Sequence, residues 1–202
     1  MDIQFIVMFM LALMISAVLH EIMHGFIALK LGDDLAHSQG RLSLNPVVHI
    51  DPVLTLALPA FLLFIGASPI LAAKPVPVDT MRLQGGELGW AAVSIAGPLT
   101  NLALAFVGGA VYQIGNFSGV LLDFTGVFIL VNVSLFVFNM LPIPPLDGSR
   151  IVYAFAPRSV QEVMRQIEAF GIFGLIVILM VAGPAINPII ITMRDFILNL
   201  VV

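Results

Sequence analysis

The chain of 202 residues contains no cysteine. That excludes disulfides and thiolate ligands, so any metal must be held by His, Asp or Glu. Charge is nearly as scarce. Lys and Arg number 8 and Asp and Glu 12, together 10% of the residues, where soluble domains carry about 25%. The net charge of −4 is spread thinly. No basic run is present, and no nucleic-acid partner is expected. The beginning of the chain lacks the basic n-region and small-residue cleavage site of a signal peptide, so the first apolar segment is expected to be a permanent span. No internal repeat and no low-complexity tract occurs. What the chain has in abundance is apolar residues: 60% are hydrophobic, and the mean hydropathy is +1.10. These values predict an integral membrane protein with several spans, folded as one compact bundle over 1–202, with no room for a sizeable soluble domain.

The few charges cut the chain into pieces. Spans are expected at about 3–31, 90–114, 124–141 and 169–183, with a C-terminal apolar segment at 188–202. The segment 52–73 is apolar but holds Pro52, Pro59, Gly66 and Pro69, which suit a re-entrant loop better than a straight crossing. Between Pro142 and Glu168 lies an amphipathic stretch around Ser159–Ile167. Gly108-Gly109 reads as close helix packing.

Near the end of the first span sits His20-Glu21-Ile22-Met23-His24-Gly25. On a helix, positions i and i+4 share a face with Cβ atoms about 5–6 Å apart, so the two imidazoles can reach one zinc ion at about 2.0–2.1 Å. Glu21 between them is placed to act as general base toward a water on the metal. A motif this short also arises by chance. However, Ile3 to Leu19 carries no charge, and then three ionisable side chains appear within five positions. Such groups are costly in hydrocarbon and mark a functional site.

A second constellation is Asn139-Met140-Leu141-Pro142-Ile143-Pro144-Pro145-Leu146-Asp147-Gly148. Its prolines stop a helix at the end of a span. A zinc ion with two histidines needs a third protein ligand and an open fourth position, and Asp147 is the best candidate. An ordinary Asp-Gly turn at the membrane surface is the alternative.

With these motifs together the chain resembles the site-2 proteases, a family of intramembrane zinc metalloproteases. The matching residues are His20-Glu21-x-x-His24-Gly25, then Ala96-Gly97-Pro98-x-x-Asn101, then Asn139-x-x-Pro142-x-Pro144-x-x-Asp147-Gly148, in the family's order. Gly40 to Pro46, His49-x-Asp51-Pro52 and Ala73 to Val78 further resemble its compact prokaryotic branch, which lacks PDZ and CBS domains. The resemblance implies an all-α polytopic membrane fold and hydrolysis of peptide bonds within or near the transmembrane segments of membrane proteins. It implies one zinc ion per chain on His20, His24 and Asp147, with Glu21 as base and Asn139 holding the substrate backbone or the oxyanion.

A helical substrate must unwind to be cut, and its freed backbone then needs hydrogen-bond partners. Gly40–Leu44 alternates in character and is the candidate edge strand for such pairing, within a small membrane-associated β-hairpin. A plain surface hairpin is the alternative. For the ligands to meet, the first and the 124–141 spans must end on the same side. Lys30, Arg41, Lys74, Arg82, Arg150, Arg158 and Arg165 would then share that side, and Gly115–Asp123 opposite has no basic residue. By the positive-inside rule the active site lies nearer the cytoplasmic face, expected here of a prokaryotic cell membrane. The partners expected are a transmembrane protein substrate and the lipid bilayer, with the oligomeric state open. His49 and Asp51 read as a polar cap at the membrane boundary or a gating pair, His37 as a solvated loop residue, and Asn101 as a site neighbour or a helix-packing group. Two other functions fit parts of the pattern. A metal-ion transporter would spread polar residues through the membrane's depth, whereas here they cluster near one face. A non-catalytic binder of membrane helices would be expected to lose Glu21 or a ligand.

Overall fold

A computed structural model describes residues 2–51, 74–115 and 117–200, and among them every regular element is helical. The elements are α1 (Ile3–Lys30), α2 (Leu35–Ser38), a 3₁₀ turn (Pro46–His49), α3 (Gly86–Ile114), α4 (Val120–Asn139), α5 (Asp147–Phe155), α6 (Arg158–Glu168) and α7 (Gly171–Leu200). Three of them, α1, α3 and α4, are long and apolar enough to cross a membrane. At 1.5 Å per residue, the 20 residues of α4 span about 30 Å, the thickness of a hydrocarbon core.

The ends of these helices fix their directions. The Gln84 N–H, just before α3, donates to the Leu31 carbonyl at the end of α1 at 2.8 Å, so α3 runs back along α1. A short link of 115–119 returns the chain as α4. The first turns of α4 share a cleft with the first turns of α1, so α1 and α4 run in the same direction. Of α4's two buried faces, one packs Val127 and Val131 against Met8, Ala12 and Leu13 of α1. The other packs Ile129, Val133 and Val137 against Ala105 of α3 and Ile186 and Ile197 of α7. Gly108 is what lets α3 approach so closely: a Cβ there would lie 3.0 Å from Ile129 Cγ1.

α7 continues through Pro184 and Pro188, where the sequence places a boundary between an apolar span and an apolar tail. Each proline forfeits one backbone bond, which membrane helices tolerate when neighbours support them. Gln113 of α3 donates to the Leu198 carbonyl near the end of α7 at 2.9 Å. The amphipathic stretch after Pro157 is α6, its end tied to α5 by the Arg150–Glu168 ion pair.

Two expectations need separate treatment. The β-hairpin is corrected: Gly40–Leu44 forms no strand, and none occurs among the described residues. Its backbone turns instead of extending. Gly40 adopts φ 65°, the Arg41 N–H closes on the Ala36 carbonyl at 2.9 Å, and the Ser43 carbonyl accepts from His49 Nε2 at 2.8 Å. The Arg41 N–H and the Ser43 carbonyl are spent locally. The re-entrant expectation for 52–73 lies outside the described residues.

Candidate metal centre

His20 and His24 lie one turn apart on α1, both buried. Asp147 opens α5, where a carboxylate also suits the positive end of the helix. A Tyr153–Trp90–Arg150 stack braces α5 against α3, with the Arg150 guanidinium 4.1 Å over the indole and the Tyr153 ring 5.9 Å from it. The sequence-predicted ligands do meet. His20 Nε2 lies 2.9 Å from His24 Nε2, and Asp147 Oδ2 lies 3.2 Å from the first and 3.4 Å from the second.

The surrounding hydrogen bonds decide which atoms carry protons. His24 Nδ1 faces the Val93 carbonyl at 2.8 Å, an acceptor only. His20 Nδ1 faces Asn101 Oδ1 at 2.6 Å. The Asn101 amide is oriented in turn, since its Nδ2 donates to Asn132 Oδ1 at 3.0 Å. Asn132 Nδ2 donates to the Phe128 carbonyl at 2.9 Å. Each Nδ1 is therefore the protonated nitrogen, and each Nε2 presents a lone pair.

Three acceptors thus face one another with no donor among them. A metal cation in their midst relieves the repulsion. Ligand atoms around a tetrahedral zinc at 2.0–2.1 Å lie about 3.3–3.4 Å apart, close to the spacing of this triangle. Two nitrogens and one oxygen leave the fourth position open. The residues fit zinc.

Gly97 of α3 explains the middle motif. A Cβ at this position would fall 2.6 Å from His20 Nε2 and overlap His24 Nε2 as well, so only glycine lets α3 close over the site. The more accessible side is at Asp147, whose side chain is 21% exposed against 9% and 10% for the histidines.

Glu21 is half-buried between the ligands on α1, and its Oε2 accepts the Val76 N–H at 2.7 Å. Asn139 ends α4 with its Nδ2 donating to the Leu135 carbonyl of its own helix at 3.0 Å. Asn101 is a site neighbour, fully buried against His20. His49 is buried and His37 exposed. Sequence reasoning did not single out Asn132, Arg41 or the Val76 amide. Asn132 carried a signal, an amide in the middle of the apolar run of α4, where a polar group is expensive.

The description "Peptidase family M50" fits residues 110–182, a stretch that includes Asp147. The chain is 36% identical over 201 residues to the Bacillus subtilis protein named "Putative zinc metalloprotease YwhC", covering 94% of this chain and 89% of that one. The chain belongs to the site-2 protease family, peptidase family M50. It is 29% identical over 176 residues to "Putative zinc metalloprotease Rip2" of Mycolicibacterium smegmatis, covering 86% of this chain and 66% of that one. To "Putative zinc metalloprotease MJ0611" of Methanocaldococcus jannaschii it is 34% identical over 136 residues, covering 67% of this chain and 63% of that one. No solved structure matches. This site-2 protease is accordingly a multi-pass membrane metalloprotease with zinc as its cofactor.

Proposed function

We propose that the chain is an intramembrane endopeptidase that cuts peptide bonds within or near the transmembrane segments of other membrane proteins, with one zinc on His20, His24 and Asp147. The observation that carries this is the triangle of three acceptors set between helices long enough to cross a bilayer. Zinc bound there supplies a Lewis acid and lowers the pKa of a water toward about 7. Glu21 would serve as the base that takes a proton from the attacking water and returns it to the leaving amine. Asn101 and the Val93 carbonyl keep both imidazoles facing the metal. Asn139 offers an amide N–H to the substrate backbone or the oxyanion. The substrate helix must unwind before its backbone can enter, and the lipid bilayer is its medium.

The test is reconstitution of purified protein with a single-span substrate, with the cut mapped by mass spectrometry. Zinc-dependent cleavage inside the span is expected. Cleavage confined to the soluble flanks would overturn the intramembrane reading.

The active site faces the cytoplasm on this proposal. Gln84 lies at the zinc end and Ser118 in the opposite link. Since there is no native cysteine, single cysteines at these positions should label from the cytoplasm and from outside, respectively. The reverse pattern would invert the orientation.

A further inference from the structure

Glu21 is held by a peptide group that is itself held from behind. Val76 N–H donates to Glu21 Oε2 at 2.7 Å. The carbonyl of that same peptide, on Pro75, accepts from Arg41 Nη2 at 3.3 Å, and the same nitrogen donates to the Lys74 carbonyl at 2.7 Å. A guanidinium on the oxygen and a carboxylate on the N–H polarise one peptide plane from both sides, and such chains strengthen each bond in them.

The segment around this peptide is built to stay still. Lys74 N–H donates to the His49 carbonyl at 2.8 Å. Asp79 N–H donates to Asp33 Oδ2 at 2.7 Å, and Asp33 is fully buried. Pro75 and Pro77 flank the donor with φ fixed, so the only N–H groups from 74 to 78 are those of Lys74, Val76 and Val78. The Val76 side chain is buried, as is Arg41. Arg41 Nε is buried with no hydrogen-bond partner among the described residues.

We propose that Arg41 is a positioning residue for Glu21, acting through the Pro75–Val76 peptide group. With Oε2 pinned, the orientation of the Glu21 carboxylate is fixed from outside its own helix. The proposal rests on Glu21 being the base. It adds that the geometry of this base is set by a loop between α2 and α3 and not by α1 alone.

The test compares Arg41→Met and Arg41→Lys with the unaltered protein. A misaimed base costs turnover between about tenfold and a hundredfold. Arg41→Met should therefore lower kcat by that amount, with KM and zinc content within twofold. Arg41→Lys should recover most of the rate, because a single nitrogen serves both carbonyls and an ammonium can replace it. A second readout needs no turnover. In metal-free protein, Arg41→Met should speed hydrogen exchange at the Val76 amide while leaving the Asp79 amide as protected as before. Loss of zinc or of Asp79 protection in Arg41→Met would show a merely structural role and overturn the proposal. So would an unchanged kcat or an unchanged Val76 amide. Glu21→Gln separates the two ideas. If it cleaves normally, the base assignment itself fails. If it is inactive while Arg41→Met is fully active, only the positioning role fails.

Discussion

The two ends of the α1–α4 pair are made of the same helices and of opposite materials. At the zinc end, α1 presents His20, Glu21 and His24, and each has a defined polar partner at 2.6–2.8 Å. At the other end, Gln4, Val7, Met8 and Leu11 of α1 meet Val120, Leu121 and Phe124 of α4 around an open cleft of about 500 Å³. That cleft is almost wholly apolar, and lipid chains are as good a neighbour for it as protein. Apolar contact is non-directional and scales with area, so the far end tolerates looseness. The zinc end does not, because each lone pair must face the metal and each N–H must face away from it. In the α1–α4 pair, precision is concentrated at the zinc end.

That contrast can be broken most strongly at the ligands and the base. Glu21→Gln should retain zinc and lose cleavage by about 10²–10⁴-fold, the usual worth of a general base. His20→Ala, His24→Ala or Asp147→Ala should lose zinc as well as activity. Metal analysis beside a cleavage assay distinguishes the two outcomes, and full activity in Glu21→Gln would overturn the mechanism.

Next in size is a change that adds one methyl group. Gly97→Ala places a Cβ 2.6 Å from His20 Nε2 and in overlap with His24 Nε2. The protein should still insert and fold, since α3 is otherwise unchanged, but zinc occupancy should fall sharply. Normal zinc content in this variant would mean that α3 can shift away from α1, and the close approach would then be incidental.

Smaller effects belong to the outer layer. Asn132→Leu removes the group that orients Asn101, two hydrogen bonds away from the metal. Groups behind the ligands typically contribute 10–100-fold in metal affinity or activity, and this more remote one should sit near the low end, about tenfold. Interhelical hydrogen bonds in membranes average only about 0.6 kcal/mol, so thermal stability should drop little. A large stability loss with unchanged zinc affinity would recast Asn132 as a packing residue.

The smallest effect is expected at the far end. Val7→Ala trims an exposed side chain from the cleft wall. Stability should change by no more than about 0.5 kcal/mol, and activity should stay within twofold. A tenfold loss there would show that both ends are tightly coupled.

Composition and spacing alone determined the membrane class, the placement of α1, α3 and α4 to within a few residues, and the candidates His20, His24 and Asp147 that the fold brings together. The reason is physical. A bilayer demands long apolar runs, and a metal demands His, Asp or Glu at fixed helical spacing, so each charge inside an apolar run stands out. The sequence did not reveal partners contributed by the backbone. The Val93 carbonyl and the Val76 N–H belong to residues whose side chains are uninformative, and which peptide faces which ligand is set only when α3 and the 74–79 segment pack on α1. The edge-strand expectation failed for the same reason. Alternating residues at Gly40–Leu44 permit a strand, but Gly40 and the Ala36 carbonyl turned that backbone inward. It delivered Arg41 to the Lys74 and Pro75 carbonyls. Side-chain chemistry is written locally along the chain, whereas a peptide group acquires its function from whatever the fold places opposite it.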